Sequence, residues 1–410
     1  MTSPAPGTLP ECEFTDFFSG GGGSATGLTQ SGYRLVVAIN HDPTAIRTHQ
    51  ANHPAAAHLC ADTTTLDMRR LPSTRAAWGS PICTENSPSG GNTGTRAPRT
   101  DGQLPIGELG HRTQPGFERT RATFGDILRA TEVHRYDLVW IENVPDVIWR
   151  WELLDWWCLG MVHLGYRLQV VSANSAHLAG PSFDAVPQDR HRAYLVFTRT
   201  YLPAPDLTIR PAAWCPRCQT DVRAIQHFKP AAPRILGQPA GKHGPQYTYL
   251  CPTQHAEVTP RTRGIAEVID HADRGTPLGE QHLSAATLAR IRAAWTAARA
   301  RATQTGDPIE PYIITLRRNV APHPISQPIA TLAAQGNHHY LLTPPTGQPT
   351  DQLADCGYRM LTVRERAHAQ GFPADYHLTG TVSKQVLHIG NAVSVNAARW
   401  LGERTAPVLA

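Results

Sequence analysis

The chain has 410 residues, 40% hydrophobic and 17% charged, with a formal charge of +5 and a pI ≈ 8.8. That length leaves room for two domains with cores of their own, and the mild basicity suits a polyanionic partner without demanding one. No apolar run approaches the roughly 20 residues that span a bilayer, residues 1–10 do not read as a secretion signal, and eight cysteines without a regular framework point to a reducing cytoplasm without structural disulfides.

Residues 13–18 read as a buried strand running into Gly20, Gly21, Gly22 and Gly23, with a helix at 27–31. A second strand at 35–40 and a second helix at 43–52 follow. Residues 80–120 are rich in Pro and Gly and are expected to form a long loop. Residues 136–142 form another strand, 153–164 a helix, and 168–172 and 192–198 two further strands. Strands alternating with helices predict an α/β fold: a Rossmann-like, mainly parallel sheet with helices on both faces. The alternation stops near Arg199. Residues 200–355 are proline-rich and hold one clear helix, 285–302, whose Arg290, Arg292, Arg299 and Arg301 are either a solvated face or phosphate contacts. Regularity resumes at Tyr358, and residues 386–401 close the chain with a helix.

A glycine run after a strand lets a ligand approach the backbone and meet the amides of the following helix, although a flexible turn has the same composition. Cys83 follows Pro81 and Ile82 in a turn-rich stretch. A lone cysteine is commonly a small buried hydrophobe, but this setting favours an exposed thiol. Glu142 and Asn143 end a strand, and Arg190 and Arg192 flank His191. A thiol, a carboxylic acid and paired arginines around a glycine loop suit nucleophilic attack on a heterocyclic base.

In this order, together with residues 359–366, Gln370-Gly371-Phe372-Pro373 and Gly390-Asn391-Ala392-Val393, these segments resemble the DNA cytosine-5 methyltransferase family over residues 14–402. The resemblance implies S-adenosyl-L-methionine as methyl donor, with Ser19, Gly20, Gly22 and Gly23 around its amino-acid end and Phe18 on its adenine. Asp62 matches the acid that accepts from the adenine amino group. Asn40, followed by His41, stands where the family has an acid for the ribose, and Asp42 is a nearby substitute. Cys83 matches the nucleophile that adds to C6 of cytosine, with Ile82 replacing a proline and Thr84 a glutamine; Ser87 and Gly90-Gly91 keep the pattern. Glu142 matches the glutamic acid that donates to N3, which requires a pKa raised by burial. Asn143 orients the segment, and Arg190 and Arg192 match the pair that fixes the base O2 and the catalytic loop. Asn391 matches the residue that closes on the cofactor. A base in a duplex must be flipped out to meet such a thiol.

Cys215-Pro216-Arg217-Cys218 and Cys251-Pro252-Thr253-Gln254-His255 read as two halves of a zinc ribbon. Cys215, Cys218, Cys251 and His255 are the expected ligands, with His227 or His243 as the alternative fourth, and the metal is expected to brace the recognition segment. Ser326 to Thr331 and Gly336-Asn337-His338-His339 resemble a recurrent recognition-domain segment of the family. The expected layout is a catalytic domain of residues 1–198 and 380–410 and a target recognition domain of residues 199–379, with the ribbon at 214–255. Double-stranded DNA is the expected partner. Two rival readings are methylation of RNA such as tRNA, and a catalytically silent DNA-binding relative. No endonuclease domain is read in the chain, so any DNA cutting would belong to a separate restriction or defence protein.

Overall fold

The computed structural model describes residues 12–82, 115–316, 320–334, 338–345 and 353–410. Cys83, Thr84, Ser87, Gly90, Gly91, Gly336 and Asn337 lie outside the described residues.

The strands of the first half are β1 (Cys12–Phe17), β2 (Tyr33–Asn40), β3 (Ala57–Cys60), β4 (Ala76–Gly79), β5 (Leu138–Asn143), β6 (Tyr166–Asn174), the two-residue β7 (Gln188–Asp189) and β8 (His191–Arg199). All but β7 form one seven-stranded sheet in the order β3-β2-β1-β4-β5-β8-β6. β1 to β5 run parallel, and β8 alone is reversed, antiparallel to both neighbours. The α/β expectation of a mainly parallel, Rossmann-like sheet is met. Every residue of β5 is buried, as a strand covered on both faces requires. Strand order turns back at β1, and a switch point of this kind opens a crevice at the carboxyl ends of the strands.

The helices are α1 (Gly23–Gln30), α2 (Pro43–Asn52), α3 (Pro115–His134), α4 (Val147–Arg150), α5 (Leu154–His163), α6 (Ala285–Thr305), α7 (Val363–Ala369), α8 (Val382–Asn391) and α9 (Val395–Leu409). Phe14, Trp78, Trp140 and Tyr194 on one sheet face share a core with Leu28 of α1 and Ala397, Ala398 and Leu401 of α9. Phe17, Ile39, Ala77 and Ile141 on the other face share theirs with Ile127 of α3 and Met161 of α5. The sequence pattern misses β3 and β4, which are four residues each, and α3, which starts inside the stretch read as a loop. It also starts α1 late. The helix begins at Gly23 because Gly22, at φ 85°, supplies a left-handed N-cap position. The single closing helix is two, α8 and α9, broken by extended backbone at Ala392 and Ser394.

Beyond β8, strand Ala212–Cys215 pairs with Thr220–Arg223, and Ile225–Phe228 pairs with Tyr247–Leu250. This segment packs on the seven-stranded sheet: Ala213, Cys215, Tyr249 and Cys251 share the core of Val171 and Ala173 on β6. The edge is sewn by hydrogen bonds, from Gln226 to the Ser172 carbonyl, from the Gly241 amide to Ser172, and from Gln238 to the Leu168 carbonyl. A separate five-stranded sheet, of Thr276–Pro277, Gly357–Met360, His339–Thr343, Tyr312–Thr315 and His323–Pro324, has its own core with Ile291 and Trp295 of α6. Of the arginines on α6, Arg290 donates to the Thr315 carbonyl and Arg301 pairs with Glu310 at 3.2 Å.

Two consequences can be measured. A Cβ added at Gly27 would lie 2.3 Å from the Val395 carbonyl oxygen and 2.7 Å from the Ala398 Cβ. Gly27→Ala should therefore lower stability by about 1–3 kcal/mol, the usual range for overpacking; an unchanged Tm would show that α1 and α9 do not pack this closely. The second concerns His177, His191 and His243, which meet where the 225–250 segment joins the sheet, with the His177 and His243 rings 5.0 Å apart. Burial lowers His177 and His191 to about 3 and lowers His243, with neighbouring His243, Lys242 and Arg192 adding to the effect on His191. The folded state thus holds these rings neutral. Their stabilisation is complete above the ordinary histidine value of 6.5 and is lost as pH falls below it. Denaturation series at pH 7, 6 and 5 should show falling stability, with a shallower slope in His177→Phe; equal slopes would remove the junction from the explanation.

Candidate functional site

β1 ends in the glycine loop, and the loop's shape is set by backbone conformations that few side chains adopt. Phe18 has φ 60°, Gly20 φ 51° and Gly22 φ 85°. The Ser19 amide donates to the Ile39 carbonyl, so the loop is tied to the end of β2. The buried Ser19 hydroxyl meets no partner among the described residues. Beneath the loop lies Asp16, fully buried, which accepts from Ser24 at 2.7 Å. Burial raises its carboxyl to about 7, against the opposing Ser24 hydrogen bond. His49 stands 3.9 Å away and donates to or accepts from His58 at 3.0 Å. Burial first, then His58, lowers His49 to about 3.

The C-terminal segment closes directly over this loop. Tyr376 donates its hydroxyl to the Gly21 carbonyl at 2.7 Å. A Cβ at Gly22 would stand 2.2 Å from that hydroxyl, and one at Gly23 would stand 2.0 Å from the Val393 carbonyl oxygen. Glycine is required here by the approach of the protein's own backbone and side chains.

At the end of β2, Asn40 is buried, and its Oδ1 accepts from the Asp42 amide at 2.9 Å. That leaves the amide nitrogen to meet a ligand, a donor in the place where an acid would accept. Asp42 caps α2 through the Thr44 amide and also takes Lys384 at 2.9 Å and His388 at 3.5 Å. Burial works against its ionisation, but these partners outweigh it and hold the carboxyl below its usual range. Asp42 is therefore committed to joining α2 to α8. His41 and Asp62 are exposed after β2 and β3, and Asp62 accepts from the Thr64 amide and hydroxyl. Asn391 is exposed at the end of α8.

β4 and β5 bring the second half of the site. Glu142 is 7% exposed at the end of β5, and its Oε1 accepts from Arg192 Nε at 2.7 Å. The antiparallel register causes this meeting, since it sets Ala193 of β8 opposite Asn143 of β5. Asn143 donates to the Pro81 carbonyl at 3.0 Å, and the Ile82 amide donates to Thr123 on α3 at 3.2 Å. The chain leading to Cys83 is thus fastened on both sides up to the residue before it.

The two arginines separate in role. Arg190 is 1% exposed, and its guanidinium donates to the carbonyls of Leu332, Gly390 and Ala392 at 3.1, 3.0 and 2.7 Å. Its guanidinium is spent on backbone rather than on a base. The reason is its position between β7 and β8, where the chain passes under the α8–α9 turn. Neighbouring Gln188 donates to the Ala369 carbonyl and to Gln370, and Gln370 in turn donates to the Ala392 carbonyl. Gln370 enters the sequence pattern only as a motif letter; the burial of both glutamines at 0% is what reveals the work they do.

Among the described residues, Cys215, Cys218 and Cys251 bring their sulfurs within 4.8 Å of one another. His255 does not join them: it has φ 50° and is exposed, so the predicted fourth ligand stands apart from the cluster. His227 is exposed on its strand, and the His243 ring packs against His177 and Tyr249. Phe18, Ser19, Gly20, Gly22 and Gly23 follow β1, Asn40 ends β2, Asp62 follows β3, and Glu142 near the end of β5 meets Arg192 at the start of the reversed β8. No described helix is long and apolar enough to cross a membrane.

Comparison with known proteins agrees with this geometry. The family model "C-5 cytosine-specific DNA methylase" matches residues 12–406. Curated relatives align over short stretches. DNA (cytosine-5)-methyltransferase CMT2 of Arabidopsis thaliana is 34% identical over 99 residues, 24% of this chain and 7% of that protein. Type II methyltransferase M.Sau96I of Staphylococcus aureus is 36% identical over 63 residues, 15% of each. The matched stretches thus span a small part of these relatives' length. Among solved structures, the S. pombe Dnmt2 methyltransferase has a TM-score of 0.54 at 14% identity, covering 98% of each chain. The Entamoeba histolytica methyltransferase EhMeth has a TM-score of 0.53 at 12% identity, covering 98% of this chain and 99% of that one, a likeness of fold. With the family model matched across all but the chain's ends, this protein belongs to the C-5 cytosine-specific DNA methylase family.

Proposed function

We propose that this protein is a DNA (cytosine-5)-methyltransferase that takes its methyl group from S-adenosyl-L-methionine. The observation that carries the reading is the convergence at the carboxyl ends of β1, β4 and β5 of the glycine loop, the tethered approach to Cys83, and the Glu142–Arg192 pair. The residues present fit the methyl donor. Ser19 offers a buried hydroxyl with no partner among the described residues, Asn40 an amide donor, and Phe18 a partly exposed ring at the mouth of the loop. The bound sulfonium supplies an electrophilic methyl group; the protein's task is to make cytosine C5 nucleophilic.

For that task the Cys83 thiolate adds to C6 while Glu142 delivers a proton to N3, which leaves C5 as an enamine carbon. Once C5 carries the methyl group, the C5 proton would pass to water, N3 would return its proton to Glu142, and the C6–S bond would break to release the Cys83 thiolate and restore the aromatic ring. Arg192 holds Glu142 in place and has further N–H donors for the base O2. Arg190 serves the same end indirectly, by fixing the α8–α9 turn over the cofactor loop. The target base is flipped out of the duplex to reach this pocket. The domains divide as a catalytic part, residues 1–198 and 380–410, and a recognition part, residues 199–379. Within the recognition part, the 212–260 segment is the portion that packs on the edge of the catalytic sheet, sharing the core of β6. A structural zinc ion at the three-cysteine cluster belongs to this reading.

Methyl transfer from labelled S-adenosyl-L-methionine to duplex DNA and to tRNA, side by side, tests the substrate. Transfer to tRNA alone would move the substrate to RNA, and transfer to neither would sink the enzyme reading. A covalent complex with 5-fluorocytosine DNA should form and should be absent in Cys83→Ser, which should retain cofactor binding; turnover by that variant near the parent rate would remove Cys83 from the mechanism. Glu142→Gln should lower the single-turnover rate by about 10²–10⁴-fold with little change in DNA affinity, since the amide has no acidic proton for N3. A loss below tenfold would show that Glu142 is not the proton donor.

A further inference from the structure

The three-cysteine cluster has an internal symmetry that identifies its fourth corner. In the first knuckle the Cys218 amide donates to Cys215 Sγ at 3.4 Å. In the second, the Gln254 amide donates to Cys251 Sγ, also at 3.4 Å. Each knuckle is a Cys-Pro-x-x turn in which the fourth residue's N–H meets the first residue's sulfur. Cys218 is the fourth residue of one turn and Gln254 is the fourth residue of the other. Such N–H···S bonds stabilise a thiolate, the form that binds a metal.

The thiols are already close enough to share one ion. Cys218 Sγ and Cys251 Sγ are 3.6 Å apart, near the roughly 3.8 Å edge of a tetrahedron with metal–sulfur bonds of about 2.3 Å. Cys215 and Cys251 are buried, Cys218 is half-buried and Gln254 is exposed, so the corner without a thiol faces solvent. The nearby histidines are placed otherwise. His255 lies one residue past the knuckle at φ 50°, His227 is exposed on a strand, and His243 is held in the aromatic cluster with His177, Tyr247 and Tyr249.

We propose that Cys215, Cys218 and Cys251 bind one zinc ion whose fourth ligand is an oxygen in the Gln254 corner, either the Gln254 amide or a water, and not a histidine. The inference rests on the structural-zinc reading above and goes beyond it by assigning the coordination. An S3O site differs from a closed four-thiolate site in one physical respect. Its oxygen ligand binds zinc less tightly than a thiolate and leaves a position at which outside ligands, chelators among them, can attack. The metal joins strand Ala212–Cys215 to Tyr247–Leu250 against β6, so its loss should loosen the sheet edge as well as the knuckles.

The test uses the full chain purified without chelator, with metal analysis and X-ray absorption at the zinc edge. Expected are about one zinc per chain, three sulfur neighbours, one oxygen, and no imidazole outer-shell scattering. Gln254→Cys should give four sulfurs and lengthen the half-time of zinc release to a chelator several-fold. Gln254→Ala separates the two oxygen sources: zinc that dissociates faster identifies the side-chain amide, and unchanged release identifies water. Imidazole scattering, or loss of zinc in His255→Ala, His227→Ala or His243→Ala, would overturn the oxygen assignment while leaving the zinc reading intact. Protein that never takes up zinc would overturn both.

Discussion

A single buried guanidinium holds the site together. Arg190 sits just before β8 and donates to carbonyls at positions 332, 390 and 392, which arrive from two distant parts of the chain. A charge taken out of water costs several kcal/mol unless its hydrogen-bonding groups are satisfied, and each bond from a charged donor returns about 1.5–3 kcal/mol. The arrangement therefore has little tolerance: the Leu332 segment, the α8–α9 turn and β8 must meet together or not at all. Gln188 and Gln370 extend the same contact with uncharged amides, so that the carbonyls of Ala369 and Ala392 are also occupied.

From that clamp the rest of the site follows in order. Fixing Gly390 and Ala392 sets Val393, whose carbonyl comes close enough to Gly23 to exclude any side chain there. Tyr376 reaches Gly21 from the same side. On the other flank, β8 running back beside β5 carries Arg192 to Glu142, and Asn143 reaches across to Pro81. The glycine loop and the Glu142 pair are thus held by parts of one framework, although 119 residues separate Gly23 from Glu142 in the chain. The proposed reaction between a bound cofactor and an extruded base would need that common framework, because small displacements of reacting groups are costly in rate.

Polar groups sealed under the site carry a second constraint. Buried Asp16 beside Ser24, buried His49 beside His58, and buried His177 beside the half-buried His191 and His243 are held in forms that removal from water selects, a carboxyl raised and imidazoles lowered. Neutral rings pack where charged ones would need water. The same principle explains why the 212–260 segment sits on the sheet edge: Tyr247 and Tyr249 supply the apolar cover that the histidines require.

The sequence by itself determined the fold class, the strands β1, β2, β5, β6 and β8, the glycine loop, and the order of Cys83, Glu142 and the arginines. These are legible because apolar periodicity and glycine placement are local signals, written within a few residues of where they act. The first knuckle is legible from its Cys-x-x-Cys spacing, the second only in part, because it carries a single cysteine. Tertiary structure alone decided the rest. Arg190 and Arg192 look alike in sequence, and only burial and strand register send one to carbonyls and the other to Glu142. Asp42 reads as a spare acid beside Asn40, and only the approach of α8 commits it to Lys384 and His388. His255 looks like a ligand by count, and only the turn geometry sets it outside the cluster and puts Gln254 at the matching position. In each case the deciding partner lies in a distant part of the chain or depends on the local backbone turn, and residue types alone encode neither.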